Sequence, residues 1–168
     1  MKKLFVMLFA VVLSMSSFSQ GKDVVDIAIG SADHTTLVAA VKAADLVSTL
    51  KGKGPFTVFA PTNAAFNKLP AGTVESLLKP ENKATLAKIL TYHVVSGNLD
   101  AAAVVAAIKS GNGKAVLTTV SGGKLTASMD MGKVKLTDES GNSAFVTAAD
   151  LKGTNGVVHV IDGVLLPK

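Results

Sequence analysis

At Lys114 the spacing of apolar residues changes, and that change limits the fold more than any other feature of the chain. Upstream, Leu37, Val41 and Ala44 recur at helical intervals, and Leu86, Ile89, Leu90 and His93 fall on one face of residues 81–93. Downstream the period is two: Leu125, Ala127 and Met129 alternate with Lys124, Thr126 and Ser128, and Val134 and Leu136 alternate with Lys133, Lys135 and Thr137. No single element type satisfies both periods. Helices first and strands second predict an α+β domain whose second half is an antiparallel meander with one wet and one dry face.

Turn and cap residues divide the two halves. Asp33, Asp45, Thr62 or Asn63, and Asp100 stand where helix N-caps are expected. Leu99 and Val104 flank Asp100 at hydrophobic-staple spacing. Phe56-Thr57-Val58-Phe59 reads as a buried strand that Pro61 stops. In the second half, Ser121-Gly122-Gly123, Asp130-Met131-Gly132 and Glu139-Ser140-Gly141-Asn142 are turn signals, and residues 144–147 and 157–162 are further strands.

The first residues read as an export signal rather than as part of this domain. Lys2 and Lys3 precede the apolar run 4–13, and the small residues Ser17 and Ser19 follow it, so cleavage is expected after Ser19. The run is too short for a permanent membrane anchor, and no later segment is long and apolar enough for one. This leaves residues 20–168 as one domain, secreted or periplasmic, large enough to fold alone. Without cysteine it holds together without disulfides. Removing Lys2 and Lys3 lowers the formal charge from +5 to +3, and every cation is Lys. With no Arg, no Trp and one Tyr, the chain lacks the usual means of reading or stacking on nucleic acid.

The search for chemistry is mostly negative. His34, His93 and His159 show no metal-ligand spacing, and there is neither a nucleophile elbow nor a phosphate-binding glycine loop. Asp138 and Glu139 read as solvated turn carboxylates. His159 and Asp162 lie three residues apart in one apolar strand, the wrong parity for a dyad. His159 therefore reads as a structural hydrogen-bonding group, and no cofactor or metal is expected. The lysines at 124, 133 and 135 are expected on one wet sheet face. There they keep the domain soluble and guard its edges, or attract acidic polymers and anionic surfaces.

Three stretches together resemble the fasciclin domain. They are Phe56-Thr57-Val58-Phe59-Ala60-Pro61-Thr62-Asn63-Ala64-Ala65-Phe66; Tyr92-His93-Val94-Val95 with Ser96-Gly97; and Asn155-Gly156-Val157-Val158-His159-Val160-Ile161-Asp162 with Val164-Leu165-Leu166-Pro167. They occur in the family's order and spacing, and the resemblance covers about residues 23–167. It implies a β-wedge of two sheets packed with a helical cluster in the N-terminal half. It also implies a non-catalytic adhesion or protein-interaction role outside the cell.

On this resemblance Pro61, Thr62, Asn63, Phe66, Gly156, His159 and Asp162 are structural motif positions. In animal relatives a Tyr-His motif and an Asp-Ile motif are implicated in integrin contact. The matching positions are Tyr92 and His93, and Asp150 with Leu151, where Leu replaces Ile. Tyr92 and His93 either make such contacts or pack and cap the fold. The expected partner is a surface or matrix protein or an acidic polysaccharide. The alternative is an extracytoplasmic carrier of a small apolar ligand, which an apolar cleft between helices and sheet would favour.

Overall fold

The structure is a computed structural model that describes residues 21–168; the expected leader and its cleavage point lie outside the described residues. The N-terminal half holds six short helices: α1 (Val24–Ile29), α2 (Thr35–Ala43), α3 (Val47–Leu50), α4 (Asn63–Asn67), α5 (Thr73–Leu77) and α6 (Lys83–Tyr92). Strand β1 (Phe56–Pro61) interrupts them, and β2 (Val94–Ser96) and α7 (Ala101–Ser110) follow. The second half is β3 (Lys114–Thr118), β4 (Lys124–Asp130), β5 (Lys133–Thr137), β6 (Ser143–Gly153) and β7 (Gly156–Ile161). The α+β class and the change of period at Lys114 are both present.

The two sheets expected of a wedge are two parts of one ladder, ordered β2-β1-β7-β6-β5-β4-β3. Strand β6 is shared. Its first residues pair with β5, and from Val146 onward it pairs with β7 through two register shifts. The outer strands then approach each other: Val95 bridges to Thr119, and the Val120 amide donates to the Val94 carbonyl at 2.8 Å. Strand β3 thereby meets β2, which shields edges that would otherwise recruit another chain. Strands β1 and β7 run parallel, joined in sequence by nearly a hundred residues, while every other pair is antiparallel.

Strand β7 is buried at all six positions. It lies between β1 and β6 and has a core on each side. Val158 faces one core with Ala60, Leu86, Leu90 and the α1–α2 valines and leucines. Ile161 faces the other with Phe59, Tyr92, Val104, Ile108, Leu125 and Leu136. A strand with two dry faces reads as a continuous apolar run rather than an alternation. Burying one such Val or Ile contributes roughly 1.5–3 kcal/mol, and β7 contributes to both cores.

Several local expectations are corrected. Asp33 does not cap α2. It lies in a 3-10 turn, and Asn63 reaches across from α4 to accept from the Thr36 amide at 3.0 Å. Asp45 does not cap α3 either; it adopts φ 60° where the chain leaves α2. Asp100 caps α7 as expected, accepting from the Ala103 amide at 2.8 Å. Met129 alternates in sequence but is 42 % exposed; it lies next to the turn that closes the β4–β5 hairpin.

Candidate functional site: the motif residues and the faces they leave free

The Thr62 hydroxyl accepts from the Ala65 amide at 3.2 Å and caps α4. Pro61 ends β1 beside Ile161, where its missing N–H disturbs no ladder. Asn63, the next residue, holds another helix: its amide donates to the Ala32 carbonyl while its carbonyl oxygen accepts from Thr36. Phe66 is buried in the core beneath α1 and α2.

Tyr92 and His93 are adjacent and both are buried. Tyr92 is wholly buried. Its hydroxyl donates to the Lys124 carbonyl at 2.7 Å and accepts from the Glu139 amide at 3.2 Å, tying α6 to the start of β4 and to the β5–β6 turn. Burial pushes its pKa up. Gly123 lies against the ring; a Cβ there would stand 2.5 Å from Cε2. His93, 2 % exposed, donates from Nδ1 to the Ile89 carbonyl at 2.8 Å and accepts at Nε2 from the Leu165 amide at 3.0 Å. The bond accepted at Nε2 needs the neutral ring, and burial lowers its pKa to about 4.

His159 is also 2 % exposed. The parallel register sets it beside Phe59, and the two rings stack with centroids 5.6 Å apart. Its Nε2 donates to the Leu99 carbonyl at 2.7 Å, and Nδ1 accepts a long 3.4 Å bond from the Asp150 amide. Asp162 faces elsewhere and accepts from the Phe145 amide at 2.8 Å. The two side chains therefore hold different pieces of backbone. Gly156 lies against β1, where a Cβ would come 1.9 Å from the Phe56 carbonyl oxygen.

Asp150 and Leu151 are on the surface, in the irregular part of β6. Asp150 takes φ 60° and its carboxylate accepts from the Ala101 amide at 2.8 Å. It thereby joins Asp100 at the start of α7, where exposed helix N–H groups favour negative charge. Leu151 is 38 % exposed. The structure thus separates the four candidate contact residues: Tyr92 and His93 inside, Asp150 and Leu151 outside.

Two further residues carry more structure than the sequence reading gave them. Asp138 is buried, not solvated, and accepts from the amides of Ser140, Asn142 and Leu166 and from the Asn142 side chain. With His93 it anchors the last residues of the chain. Asn155 accepts from the Val24 amide and donates to the Leu50 and Gly52 carbonyls, joining α1 and α3 to the start of β7. A polar residue just before a strand rich in valine is the available signal. His34 is buried too; Nδ1 meets the Ser31 hydroxyl at 2.8 Å and Nε2 has no hydrogen-bond partner.

Two clefts adjoin these groups. An apolar crevice between α1, α2, α3 and β1 is walled by Val24, Val25, Leu37, Val41, Leu50 and Leu90, and its cavity is about 40 Å³. A polar cleft of about 230 Å³ at the β6–β7 turn is bounded by Lys53, Lys152, Asn98 and Asp100. Among the described residues no three His, Cys, Asp or Glu side chains converge as metal ligands, and no helix is long and apolar enough to cross a membrane.

Comparison with known proteins agrees with this architecture. The fasciclin domain family model matches residues 32–167. Protein sll1483 of Synechocystis is 52 % identical over 156 residues, covering 93 % of this chain and 79 % of that protein. Transforming growth factor-beta-induced protein ig-h3 of Sus scrofa is 39 % identical over 144 residues, covering 86 % of this chain but 19 % of that much longer protein. Immunogenic protein MPB70 of Mycobacterium bovis is 38 % identical over 138 residues, 79 % of this chain and 63 % of that one. Among solved structures, a FAS1 domain pair from the insect cell adhesion molecule Fasciclin I superposes with a TM-score of 0.75 at 19 % identity, over 86 % of this chain and 51 % of that chain. The motifs first seen in sequence, the shared ladder they build and the match over most of the chain lead to one assignment: the chain belongs to the fasciclin domain family.

Proposed function

We propose that the mature domain is an exported, non-catalytic adhesion module that binds a surface or matrix component through its exterior. The observation that carries this reading is how the conspicuous polar residues are used. Tyr92, His93, Asp138, Asn155 and His159 are each bonded to backbone groups of distant segments. They hold the wedge together, which leaves contact with partners to the outer surface. The family relationship supports the same reading, since a solved relative is described as a cell adhesion molecule. The test is saturable retention of labelled domain (residues 20–168) on intact native cells or isolated envelope, competed by unlabelled domain. Retention that neither saturates nor competes contradicts the proposal.

A second reading, carriage of a small apolar ligand, is supported by the crevice beneath α1. Its lining is almost wholly apolar, but a cavity of about 40 Å³ has room for about one water-sized group. A larger ligand requires movement of the elements that wall the crevice. Native mass spectrometry of protein purified from its own envelope tests this reading: a co-purifying apolar molecule supports it, and its absence after mild extraction removes it.

A further inference from the structure

The outer face of β3–β6 is regular and carries lysines and hydroxyl side chains. The strand registers set Val116, Thr126, Thr137 and Ser143 in one rank across the four strands. Beside it runs a second rank of Lys114, Ser128, Lys135 and Phe145. Lys124 opposes Thr118 at one end of the face, and Lys133 opposes Asp130 at the other. The opposite sides of these strands, with Leu125, Ala127, Leu136 and Ala144, are buried against Val104 and Ile108 of α7. Each of the outward residues is exposed or half-buried.

Four ammonium groups face two carboxylates on this surface. Lys135 is 3.4 Å from Asp130, and its Nζ lies 5.9 Å from the centre of the Phe145 ring. Glu139 accepts from the Lys124 amide. The lysines at 114, 124 and 133 make no ion pair among the described residues.

We infer that this face binds an acidic polysaccharide, with uronic-acid carboxylates meeting Lys114, Lys124, Lys133 and Lys135 and sugar hydroxyls meeting the Thr126–Thr137–Ser143 rank. This rests on the adhesion reading and names its partner. Three features favour a polysaccharide. The face is shallow, and its hydroxyls repeat at the strand spacing of about 4.8 Å, a step comparable with that of a sugar ring along its chain. A half-exposed Phe145 offers one ring for the apolar side of a sugar. A protein partner would instead call for a central cluster of aromatic anchors, and this face has one aromatic residue.

Binding to polygalacturonate, to polyglutamate and to phosphatidylglycerol vesicles at low and moderate salt tests the inference. The wild-type protein is expected to bind polygalacturonate best, and more weakly as salt rises. The Lys124→Gln/Lys133→Gln/Lys135→Gln protein should bind it about tenfold less tightly, from three weak exposed ion pairs. Thr126→Val/Thr137→Val should weaken binding to polygalacturonate and leave polyglutamate unchanged, with circular dichroism and melts showing both variants folded. Unchanged binding by the lysine variant overturns the inference. So does polyglutamate binding as tight as polygalacturonate and insensitive to the threonines. Tighter vesicle binding that Met131→Ser abolishes overturns it in favour of a membrane. If the lysine variant still saturates on native envelope like wild type, this inference fails while the adhesion reading stands.

Discussion

A histidine kept neutral by burial gives this domain a measurable acid sensitivity. His93 has a folded pKa of about 4 against an ordinary value of 6.5. The unfolded chain therefore binds more protons between those values, and stability rises with pH across that window. His93's contribution is complete above pH 6.5 and is lost as pH falls toward 4, about 3 kcal/mol in all. His34 is lowered in the same direction by burial, so the informative quantity is the difference between urea melts of wild type and His93→Gln. The steeper fall should belong to wild type; equal slopes would mean that His93 charges freely in the fold. Gly156 is a second residue-scale test. Its hypothetical Cβ meets backbone, not a movable side chain, so Gly156→Ala should cost about 3 kcal/mol or more in denaturant melts. At this scale the sequence identified which residues matter better than what they touch. His159 bonds the Leu99 carbonyl, sixty residues away, and no local pattern points to that partner. Asp138 was misread because a carboxylate between turn residues looks solvated until the chain end folds over it.

Elements are joined by side chains that act outside their own segment. Asn63 lies on α4 but caps α2, and Asn155 precedes β7 but holds α1 and α3. Asn155→Ala should leave the Val24 amide and the Leu50 and Gly52 carbonyls unsatisfied, costing about 3 kcal/mol. Hydrogen exchange should show α1 amides losing protection before those of β7; uniform loss across both would contradict the hub role. Asp150 links the irregular part of β6 to α7. Because the group is exposed, Asp150→Ala should cost less than about 1 kcal/mol, no more than the Asp100→Ala cap loss, as read by thermal melts. Helix existence was legible upstream of Lys114 because the apolar spacing recurs there. The helix caps at Asp33 and Asp45 were not, because remote side chains and a left-handed residue replace the local cap. The far half of β6 was missed for a related reason: two register shifts and a φ of 60° at Asp150 break the alternation that marks a strand.

For the whole molecule, the decisive arrangement is a seven-stranded ladder that turns back on itself, with helices against one part and α7 inside the other. The meander was readable from its period. The parallel β1–β7 pairing and the approach of β2 to β3 were not readable from periodicity, because both depend on contacts between segments far apart in the chain. Export, if it follows the Lys-Lys and apolar pattern, should yield a mature terminus at Gln20 or within two residues of it; N-terminal sequencing of exported protein checks this, and an intact Met1 would contradict it. The central claim is that the motif residues build the wedge and that its surface does the binding. Binding isotherms of Tyr92→Phe on native envelope test it most directly, because that change removes only a buried hydroxyl with two backbone partners. Tyr92→Phe should melt at lower denaturant, by about 1–3 kcal/mol, and should bind like wild type under conditions where it is folded. Wild-type stability together with lost binding would contradict the account.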